Sequence, residues 1–339
     1  MIRVVAEYIW IGGKGEFRSK ARTLYLNHNY TIKYLPNWNY DGSSTGQATT
    51  EKSEIILKPR YICKCPFRSH NSILVMCDCY DINDKPIETN TRYDANNIFN
   101  LKLNNKPWYG IEQEYFIINK LTNKPFGYPE DGKENQGKYY CSIGSDNVFC
   151  RNIVEKHYNY CLQAGLLISG VNSEVAPGQW EYQIGPVEGI LAADQHNISR
   201  YILIKLSEEF DVRIDFNPKP LEGKWNGSGC HVNFSTESTR KGFEELTGLD
   251  VIHSYIDKLS LKHNEHMNNY GVGNKLRMTG LNETSCFDKF SWGAGSRSSS
   301  VRIPTETNKN KNGYFEDRRP SSNMDPYIVT SLIFKTCCL

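Results

Sequence analysis

The chain lacks the features that mark membrane, secreted and nucleic-acid-binding proteins. No apolar run approaches the roughly 20 residues that a transmembrane helix requires. Residues 1–7 show no long apolar stretch of the secretory type and lead directly into strand-like sequence. The 40 basic and 38 acidic side chains leave a formal net charge of only +2, so neither nucleic acid nor an anionic membrane is expected as main partner. We therefore expect a cytoplasmic protein whose strong electrostatics are local.

The sequence also lacks the even number of cysteines that complete disulfide pairing would require, since it contains 11. Without a signal peptide, this count predicts free thiols in a reducing compartment. Cys63 and Cys65, like Cys77 and Cys79, are spaced more closely than the usual pairs of zinc-binding cysteines. Residues two apart share one face of a strand, so we expect two pairs of buried thiols and no zinc.

The length of 339 residues is sufficient for two domains, and the sequence changes character along the chain. Residues 1–88 are predicted to form a small strand-rich domain that ends in a polar linker. β-Branched and aromatic runs predict strands at 6–11, 22–26, 54–57 and 73–79.

Residues 89–339 are predicted to form a larger domain of mixed strands and helices. Apolar side chains recur there at helical spacing in three places, and we expect each stripe to face the core and not a cofactor. The three stripes are Ile153, Val154, His157, Tyr158, Cys161 and Leu162; Ile198, Tyr201, Ile202 and Leu206; and Val251, Ile252, Tyr255, Ile256 and Leu259.

The first motif with chemical content is the strand-like segment 110–118, GIEQEYFII, which holds two glutamates within apolar sequence. Glu112 and Glu114 are two residues apart and therefore point to the same face of a strand. Two neighbouring carboxylates in apolar surroundings are unfavourable unless a cation neutralises them. The alternative is a solvent-facing strand edge, where charged residues are common.

Further potential ligands follow in two later segments. Glu174 and Glu181 lie among aromatic and turn residues. The segment 225–235, WNGSGCHVNFS, contains glycines that let the backbone approach a ligand, and His231 begins its strand-like part. A lone histidine in such a position is usually a core residue, so His231 by itself indicates little.

Arginines supply the positive groups of the predicted site, because a planar guanidinium suits bidentate binding of phosphate and carboxylate. The alternative is a solvated basic surface, which we favour for Arg319. Carboxylates, one imidazole and arginines together indicate a site for hard divalent cations and a polyphosphate, and oxygen ligands favour magnesium or manganese over zinc. Metal ions and arginines would share the charge of a transferring phosphoryl group. The candidates are Arg277, Arg297, Arg302, Arg318 and Arg319.

One motif favours a different class of enzyme. The segment 42–46, GSSTG, matches the GxSxG pattern of serine hydrolases, with Ser44 as nucleophile. That motif requires a following helix, but residues 47–54 are polar and carry no helical apolar stripe. A serine hydrolase is therefore the alternative reading, and labelling by an active-site serine probe would distinguish it.

Almost the whole chain resembles the eukaryotic-type glutamine synthetases. The segments that carry the resemblance are 38–45 (WNYDGSST), 112–114 (EQE), 179–186 (QWEYQIGP), 226–235 and 313–320. The resemblance implies an α+β fold with a small N-terminal β-grasp-like domain and a larger α/β catalytic domain. It also implies a homo-oligomer of two stacked pentameric rings, a decamer, whose active sites lie between neighbouring subunits.

The resemblance further implies a role for each matching residue. Two or three Mg²⁺ or Mn²⁺ ions would occupy each site, one held by Glu114, Glu174 and Glu181 and another by Glu112, His231 and Glu316. The substrate glutamate would be bound by Asn226, Gly227, Arg277, Arg297 and Arg318. ATP would be bound by Trp108, Glu181, Asn233, Ser235, Arg297, Arg302 and Tyr314. Catalytic roles would belong to Asp41, Glu283 and Arg297.

The implied reaction is the ATP-dependent ligation of ammonia to the γ-carboxylate of L-glutamate. ATP would phosphorylate that carboxylate, and ammonia would then displace phosphate from γ-glutamyl phosphate. Asp41 of an adjacent subunit would bind ammonium and help to deprotonate it, because only neutral ammonia is a nucleophile. Glu283 would lie on a flap that shields the intermediate from water.

The chain departs from the family pattern in four places. The segment before the first strand is short and the tail after Leu339 is nearly absent, so we expect altered ring-to-ring contacts. Asn282 and Thr305 stand where histidine and arginine are common, and we expect effects on rate or nucleotide affinity. Two alternatives remain within the fold, a non-catalytic relative and a ligase for a larger amine. Crowded carboxylates argue against the first, since they repel one another without a metal.

Overall fold

The computed structural model describes residues 1–68, 71–130, 132 and 137–339. These residues form two β-sheets, and most of the helices accompany the second sheet. No helix in these ranges is long and apolar enough to cross a membrane. The expected α+β class is confirmed, because helices and largely antiparallel sheets coexist without a regular βαβ alternation.

Five strands near the N-terminus form the first sheet: β1 (Ile2–Ile11), β2 (Phe17–Leu26), β3 (Trp38–Asp41), β4 (Glu54–Lys64) and β5 (Ser72–Tyr80). Their order is β2-β1-β5-β4-β3, and only β1 and β5 pair in parallel. The four strands expected from the sequence are confirmed within β1, β2, β4 and β5. The additional strand β3 forms one edge of the sheet and ends at Asp41.

Nine strands form the second sheet: β6 (Trp108–Asn119), β7 (Lys124–Pro125), β8 (Ile168–Ser173), β9 (Gln179–Glu188), β10 (Arg213–Asp215), β11 (Cys230–Ser235), β12 (Trp292–Ala294), β13 (Val301–Ile303) and β14 (Phe315–Asp317). The order of the main path is β12-β13-β14-β11-β6-β9-β8. The short strands β7 and β10 pair with the C-terminal part of β6. Strand β6 is therefore enclosed by β11 on one side and β9 on the other.

The helices of the described ranges are α1 (Thr91–Asn100), α2 (Arg151–Ala164), α3 (Ile190–Phe210), α4 (Glu237–Lys241), α5 (Gly248–Leu261), α6 (His263–Asn269), α7 (Asn274–Arg277), α8 (Thr305–Asn310) and α9 (Pro326–Cys338). The three helices expected from apolar periodicity are confirmed as α2, α3 and α5. Their stripes face the core, with one error: Leu162 is 49% exposed. It lies at the margin of the face of α2 on which Val154 and Cys161 are buried.

One apolar core joins the two sheets, since Ile9 and Met76 of the first sheet belong to the same buried cluster as Tyr109 of β6 and Ile202 of α3. Glu7 of β1 adds a polar connection, because it accepts hydrogen bonds from side chains of α3. The first sheet thus packs on the central helix of the second part. The boundary between residues 88 and 89 stays a prediction.

The expected free thiols and the burial of the two close cysteine pairs are confirmed. All 11 are free thiols, and Cys63, Cys65, Cys77 and Cys79 are buried. Cys63 and Cys65 pack in the main core, whereas Cys77 and Cys79 pack in the core of the first sheet. Burial raises the pKa of the Cys63 and Cys79 thiols to about 12, which keeps them protonated and unreactive.

Candidate active site

The register of the second sheet brings most of the predicted ligands onto one face. His231 of β11 lies opposite Glu112, and Glu181 of β9 lies opposite Glu114. Directly opposed residues of antiparallel strands project from the same face. Glu316 joins them because β14 places it opposite Asn233, which shares the face of His231.

The closest group on this face consists of Glu112, His231 and Glu316. Nδ1 of His231 lies 3.5 Å from Oε2 of Glu112 and 3.4 Å from Oε1 of Glu316. One ligand atom from each residue lies within 4.8 Å of the other two. The second oxygen of Glu112 accepts a hydrogen bond of 2.7 Å from the amide of Asn233, which orients the carboxylate.

The charges in this group depend strongly on one another. Burial alone would raise the pKa of Glu316, but His231, Arg318 and Arg302 outweigh burial and lower it. Burial and Arg318 would lower the pKa of His231, yet Glu112 and Glu316 raise it. The two carboxylates therefore stabilise a positive charge placed between them.

A second group of carboxylates, Glu114, Glu174 and Glu181, lies next to the first. Burial raises the pKa of Glu174, and the charges of Glu114 and Glu181 raise it further. Burial also raises the pKa of Glu181, and Glu112 and Glu114 add to the rise. These effects mean that the carboxylates repel one another in a site that water solvates poorly.

The donor sets of both groups fit hard divalent cations. Five carboxylates and one imidazole supply oxygen and nitrogen ligands of the kind that Mg²⁺ and Mn²⁺ accept. Within the described part of the chain, only Glu112, His231 and Glu316 approach closely enough to enclose an ion as they stand. Glu114 and Glu181 lie close enough to Glu174 for their charges to raise its pKa, and a shared cation would relieve this repulsion.

Three of the predicted arginines, Arg277, Arg302 and Arg318, converge on the same site. Nη1 of Arg318 lies 2.7 Å from Oε1 of Glu316, and Nε of Arg302 lies 2.7 Å from Oε2. Arg277 is buried and donates through Nη2 to the backbone carbonyls of Arg318, Arg319 and Pro320 at 2.8–3.2 Å. Burial lowers the pKa of Arg277 to about 10. Its guanidinium is thus fixed beside the loop that carries Arg318.

Gly229 permits this convergence. Its backbone N–H donates to Oε2 of Glu114 at 2.8 Å. A Cβ atom at this position would lie 2.8 Å from Nε2 of His231 and 3.0 Å from Nη1 of Arg277. Only glycine lets the backbone pass between these two side chains without displacing one of them.

The expectation of a solvated Arg319 was wrong. Arg319 is fully buried, and its Nη2 and Nε lie 2.7 Å and 2.8 Å from the two oxygens of Asp317, which is also fully buried. Because side chains alternate along this extended segment, Arg318 faces the site whereas Arg319 points into the core. The adjacent arginines therefore have different functions, the second being structural.

A cavity of about 480 Å³ adjoins the carboxylates, and four of the seven predicted ATP-binding residues line it. Its lining includes Trp108, Glu112, Asn233, Ser235 and Tyr314. This volume lies within the roughly 300–1,000 Å³ typical of small-molecule sites. Glu112 lines the cavity and belongs to the closest group of potential metal ligands, so a ligand bound there would extend to that group.

Three predicted residues lie outside this convergence. Asp41 is exposed on the edge strand β3, and its carboxylate accepts hydrogen bonds from Ser43 and Ser44 that lower its pKa. Glu283 is exposed in the loop after α7 and meets the site only through its backbone carbonyl, which accepts a bond of 3.2 Å from Arg318. Arg297 is exposed too, although its charge acts on the pKa of Tyr140, which Glu174 also influences.

Two predicted glutamate-binding residues lie on the loop before β11. The carbonyl of Gly227 accepts a hydrogen bond of 3.0 Å from Gln179, and an added Cβ at this position would lie 2.5 Å from Cγ of Arg277. Asn226 is partly buried next to it. The loop is therefore held against Arg277.

The structure contradicts the serine hydrolase alternative. Residues Gly42–Thr45 form a single 3₁₀ turn, and the strand β4 follows after a second short turn, so the helix required by a nucleophile elbow is replaced by other structure. The hydroxyl of Ser44 donates to the carboxylate of Asp41 at 2.6 Å. That bond orients Asp41. The hydroxyl of Ser44 is thus bonded to a carboxylate, whereas the nucleophile of a serine hydrolase is bonded to an imidazole base.

Two glutamine side chains that hold the carboxylates were not predicted from the sequence. Gln183 donates to Glu181, and Gln179 donates to Glu114 at 3.2 Å. Both share the site face of β9 with Glu181, since the three are two residues apart, so strand alternation could have indicated them. Arg240 was also missed: its guanidinium lies 3.9 Å from the ring centre of Trp108, and no sequence signal marks it.

Sequence comparisons find similarity over nearly the whole chain. Residues 4–82 match the family model described as "Glutamine synthetase, beta-Grasp domain", and residues 97–247 match "Glutamine synthetase, catalytic domain". The chain is 57% identical over 337 residues to a "Putative glutamine synthetase" of Acanthamoeba polyphaga mimivirus, which covers 98% of this chain and 94% of the viral protein.

Plant proteins are similar to almost the same extent. The chain is 54% identical over 338 residues to "Glutamine synthetase cytosolic isozyme 1-1" of Oryza sativa subsp. japonica, covering 98% of this chain and 94% of that protein. It is 52% identical over 341 residues to "Glutamine synthetase cytosolic isozyme 1-3" of Arabidopsis thaliana, covering 99% and 95%. The similarity therefore extends beyond residue 247 to the segment that carries Glu316 and Arg318.

Proposed function

The chain belongs to the glutamine synthetase family and is a glutamate–ammonia ligase, and we propose that its reaction takes place on the carboxylate-rich face of the second sheet. The observation that carries this placement is the meeting of Glu112, His231 and Glu316, of which Glu112 also lines the cavity. Family membership implies ATP and divalent cations. The assignment of roles to individual residues is our proposal.

We assign the divalent cations to the two groups of potential ligands. Glu112, His231 and Glu316 would hold one Mg²⁺ or Mn²⁺ ion, and Glu114, Glu174 and Glu181 another. The family resemblance implies two or three ions in each active site. Bound there, the cations would neutralise the phosphate charge of ATP and polarise the transferred group. The mutual repulsion of these carboxylates supports the assignment, because it is relieved only when positive charge enters.

The cavity would bind ATP, and the arginine-rich end would bind glutamate. Trp108, Asn233, Ser235 and Tyr314 would contact the nucleotide, with Glu181, Arg297 and Arg302 nearer to its phosphates. Asn226, Gly227, Arg277, Arg297 and Arg318 would hold the carboxylates and amino group of glutamate. A fixed guanidinium such as that of Arg277 suits this function, since it is oriented before substrate arrives.

This arrangement supports a reaction in two steps. A γ-carboxylate oxygen of glutamate attacks the terminal phosphorus of ATP, ADP leaves, and γ-glutamyl phosphate forms. Ammonia then attacks the carbonyl carbon of the phosphorylated γ-carboxyl group, the bond from this carbon to the phosphorylated oxygen breaks, and phosphate leaves together with one proton of the ammonia. Arg297 would stabilise the charge of the transferring phosphoryl group. Phosphorylation is needed because a free carboxylate is a poor acylating agent.

Asp41 would act in the site of a neighbouring subunit. Its carboxylate is exposed at the edge of the first sheet and has a lowered pKa, so it remains negative and can attract ammonium. We accordingly propose a homo-oligomer, and by resemblance stacked pentameric rings, in which an adjacent chain supplies this residue. The relatives named as cytosolic isozymes support a cytosolic location.

Chelation should destabilise the protein. A cation present at about 100 times its dissociation constant stabilises the folded state by about 2.7 kcal/mol per site, because the unfolded chain does not bind it. We expect the melting temperature to rise with added Mn²⁺ and to fall again with EDTA. Monovalent salt at the same ionic strength is the control, because it screens surface charges to the same extent without binding as a divalent cation would. Identical melting curves with Mn²⁺ and with chelator would refute the metal assignment.

The variant Glu283→Ala should retain ATP binding and lose glutamine formation by at least about tenfold, because the open flap would admit water to the intermediate. The measurement compares ADP release with glutamine formation, and we expect ADP release to exceed glutamine formation. Glu244→Ala is a matched control, since Glu244 is also exposed with a positive φ (54° against 60° at Glu283). Near-normal synthesis by Glu283→Ala would remove Glu283 from the mechanism.

The activity itself is tested by an assay for ADP release that varies glutamate and the amine. We expect release to require both glutamate and an amine, with ammonia and hydroxylamine preferred over methylamine and ethylamine, since Asp41 favours a small cation. A preference for a larger amine would support the alternative ligase. Absence of glutamate-dependent turnover would support a non-catalytic relative.

A further inference from the structure

Behind the carboxylate-bearing strand lies a buried arginine that the proposed reaction leaves unused. Arg200 of α3 is 7% exposed, and its guanidinium donates three hydrogen bonds. The acceptors are Oε1 of Gln113 at 2.7 Å, the carbonyl of Ser322 at 2.7 Å and the carbonyl of Met324 at 2.8 Å. The cation therefore connects α3 with β6 and with the segment after β14.

The contact with β6 reaches the metal-binding face through one residue. Gln113 is fully buried and lies between Glu112 and Glu114, so its side chain points away from theirs. Besides accepting from Arg200, the Gln113 amide donates to the carbonyl of Glu114 at 2.6 Å and to that of Ser322 at 3.0 Å. These hydrogen bonds anchor β6 at Gln113, which lies between the two residues whose carboxylates project into the site.

The contact with residues 322–324 reaches the other proposed ligands. The N–H of Ser322 donates to the carbonyl of Ser228 at 3.1 Å, and the N–H of Cys230 donates to the carbonyl of Pro320 at 2.9 Å. Cys230 immediately precedes His231, and the segment 322–324 begins four residues after Arg318. Arg200 therefore contacts β6 directly through the side chain of Gln113, and it is connected to the segment that leads into His231 through Ser322.

The chemistry of Arg200 fits a positioning function better than an ion pair. Among the described residues, no carboxylate lies within 4.0 Å of its guanidinium, although burying an unpaired charge is unfavourable. Arg92 provides the contrast, because it is similarly buried and forms a bidentate pair with Asp194 at 2.8 Å. A planar group with five donors satisfies three separate acceptors in a fixed geometry, which an ammonium group does not.

We propose that Arg200 is a positioning residue that, through Gln113 and the carbonyls of Ser322 and Met324, sets the spacing of the proposed metal ligands. This inference rests on the metal assignment made above. It predicts that loss of the guanidinium geometry weakens metal binding more than it weakens the fold.

The test compares Arg200→Lys with Arg92→Lys by Mn²⁺ titration, following the electron paramagnetic resonance signal of free Mn²⁺, and by urea unfolding. Both variants keep the charge and lose the planar fork. We expect Arg200→Lys to raise the Mn²⁺ dissociation constant about 10- to 100-fold, the usual effect of removing a group that orients metal ligands. Arg92→Lys should lower the unfolding midpoint comparably without changing Mn²⁺ affinity.

The outcomes separate this inference from the one it rests on. Wild-type protein that binds no Mn²⁺ would overturn the metal assignment. Wild-type binding together with unchanged affinity in Arg200→Lys would overturn the positioning function alone, as would an equal loss of affinity in Arg92→Lys. If Arg200→Lys does not fold, Gln113→Met replaces it, because that change removes the link to β6 and retains Arg200, and the same affinity loss is expected.

Discussion

Replacing Glu316 with glutamine should lower ligase activity by more than about 100-fold, since removal of groups that merely orient metal ligands already costs about 10- to 100-fold. Glutamine preserves the shape of the side chain and removes the charge that faces His231, Arg302 and Arg318. The variant would lose a metal ligand and the anchor of two arginines at once. Part of the lost rate should return at high Mn²⁺ concentration, because the remaining ligands bind the ion more weakly.

Glu209→Gln is the control for this experiment. Glu209 also pairs with a basic side chain, Lys156, but at the surface, where such pairs contribute about 0–1 kcal/mol. Its activity should equal that of the wild type. If Glu316→Gln retained normal turnover with an unchanged Mn²⁺ requirement, Glu316 would not be a metal ligand.

The variant Asp317→Asn should lower the free energy of unfolding by about 3–5 kcal/mol, the usual result of removing one partner from a buried ion pair. Asp317 and Arg319 are both fully buried, and Arg319 would retain its charge without the carboxylate. Burial alone would raise the pKa of Asp317, but Arg319 and Tyr270 outweigh it and lower it. The structure therefore depends on a charged carboxylate at this position.

Urea unfolding measures this effect, with Glu209→Gln again as the surface control. A loss below about 1 kcal/mol, the range of exposed pairs, would show that the pair contributes no more than a surface contact. The Asn variant should also position Arg277 less well, because the carbonyl of Arg319 accepts a hydrogen bond from Arg277. We expect a higher KM for glutamate in protein that remains folded.

Local patterns predicted much of the fold. The strands β1, β2, β4 and β5 and the helices α2, α3 and α5 follow from runs of β-branched residues and from apolar periodicity, because both report on one buried face. The shared face of Glu112 and Glu114 follows from strand alternation in the same way. Short elements such as β13 and β14 have too few residues to show a period.

The burial of Arg319 is an example of a feature that local sequence patterns do not predict. Arginine is usually exposed. Its charge partner Asp317 is only two residues away, but Tyr270, and His263 at 3.2 Å from its Nη1, which complete its buried surroundings, lie elsewhere in the chain. The meeting of Glu112 with Glu316 has the same origin, since it depends on the pairing of β6, β11 and β14. Family resemblance indicated that meeting, whereas residue spacing alone did not.

The most direct test is a crystal structure of the protein with Mn²⁺ and ADP, in which anomalous scattering locates the manganese ions. We predict one ion bound by Glu112, His231 and Glu316 and another bound by Glu114, Glu174 and Glu181. Manganese peaks elsewhere, with these six side chains free of metal, would contradict it.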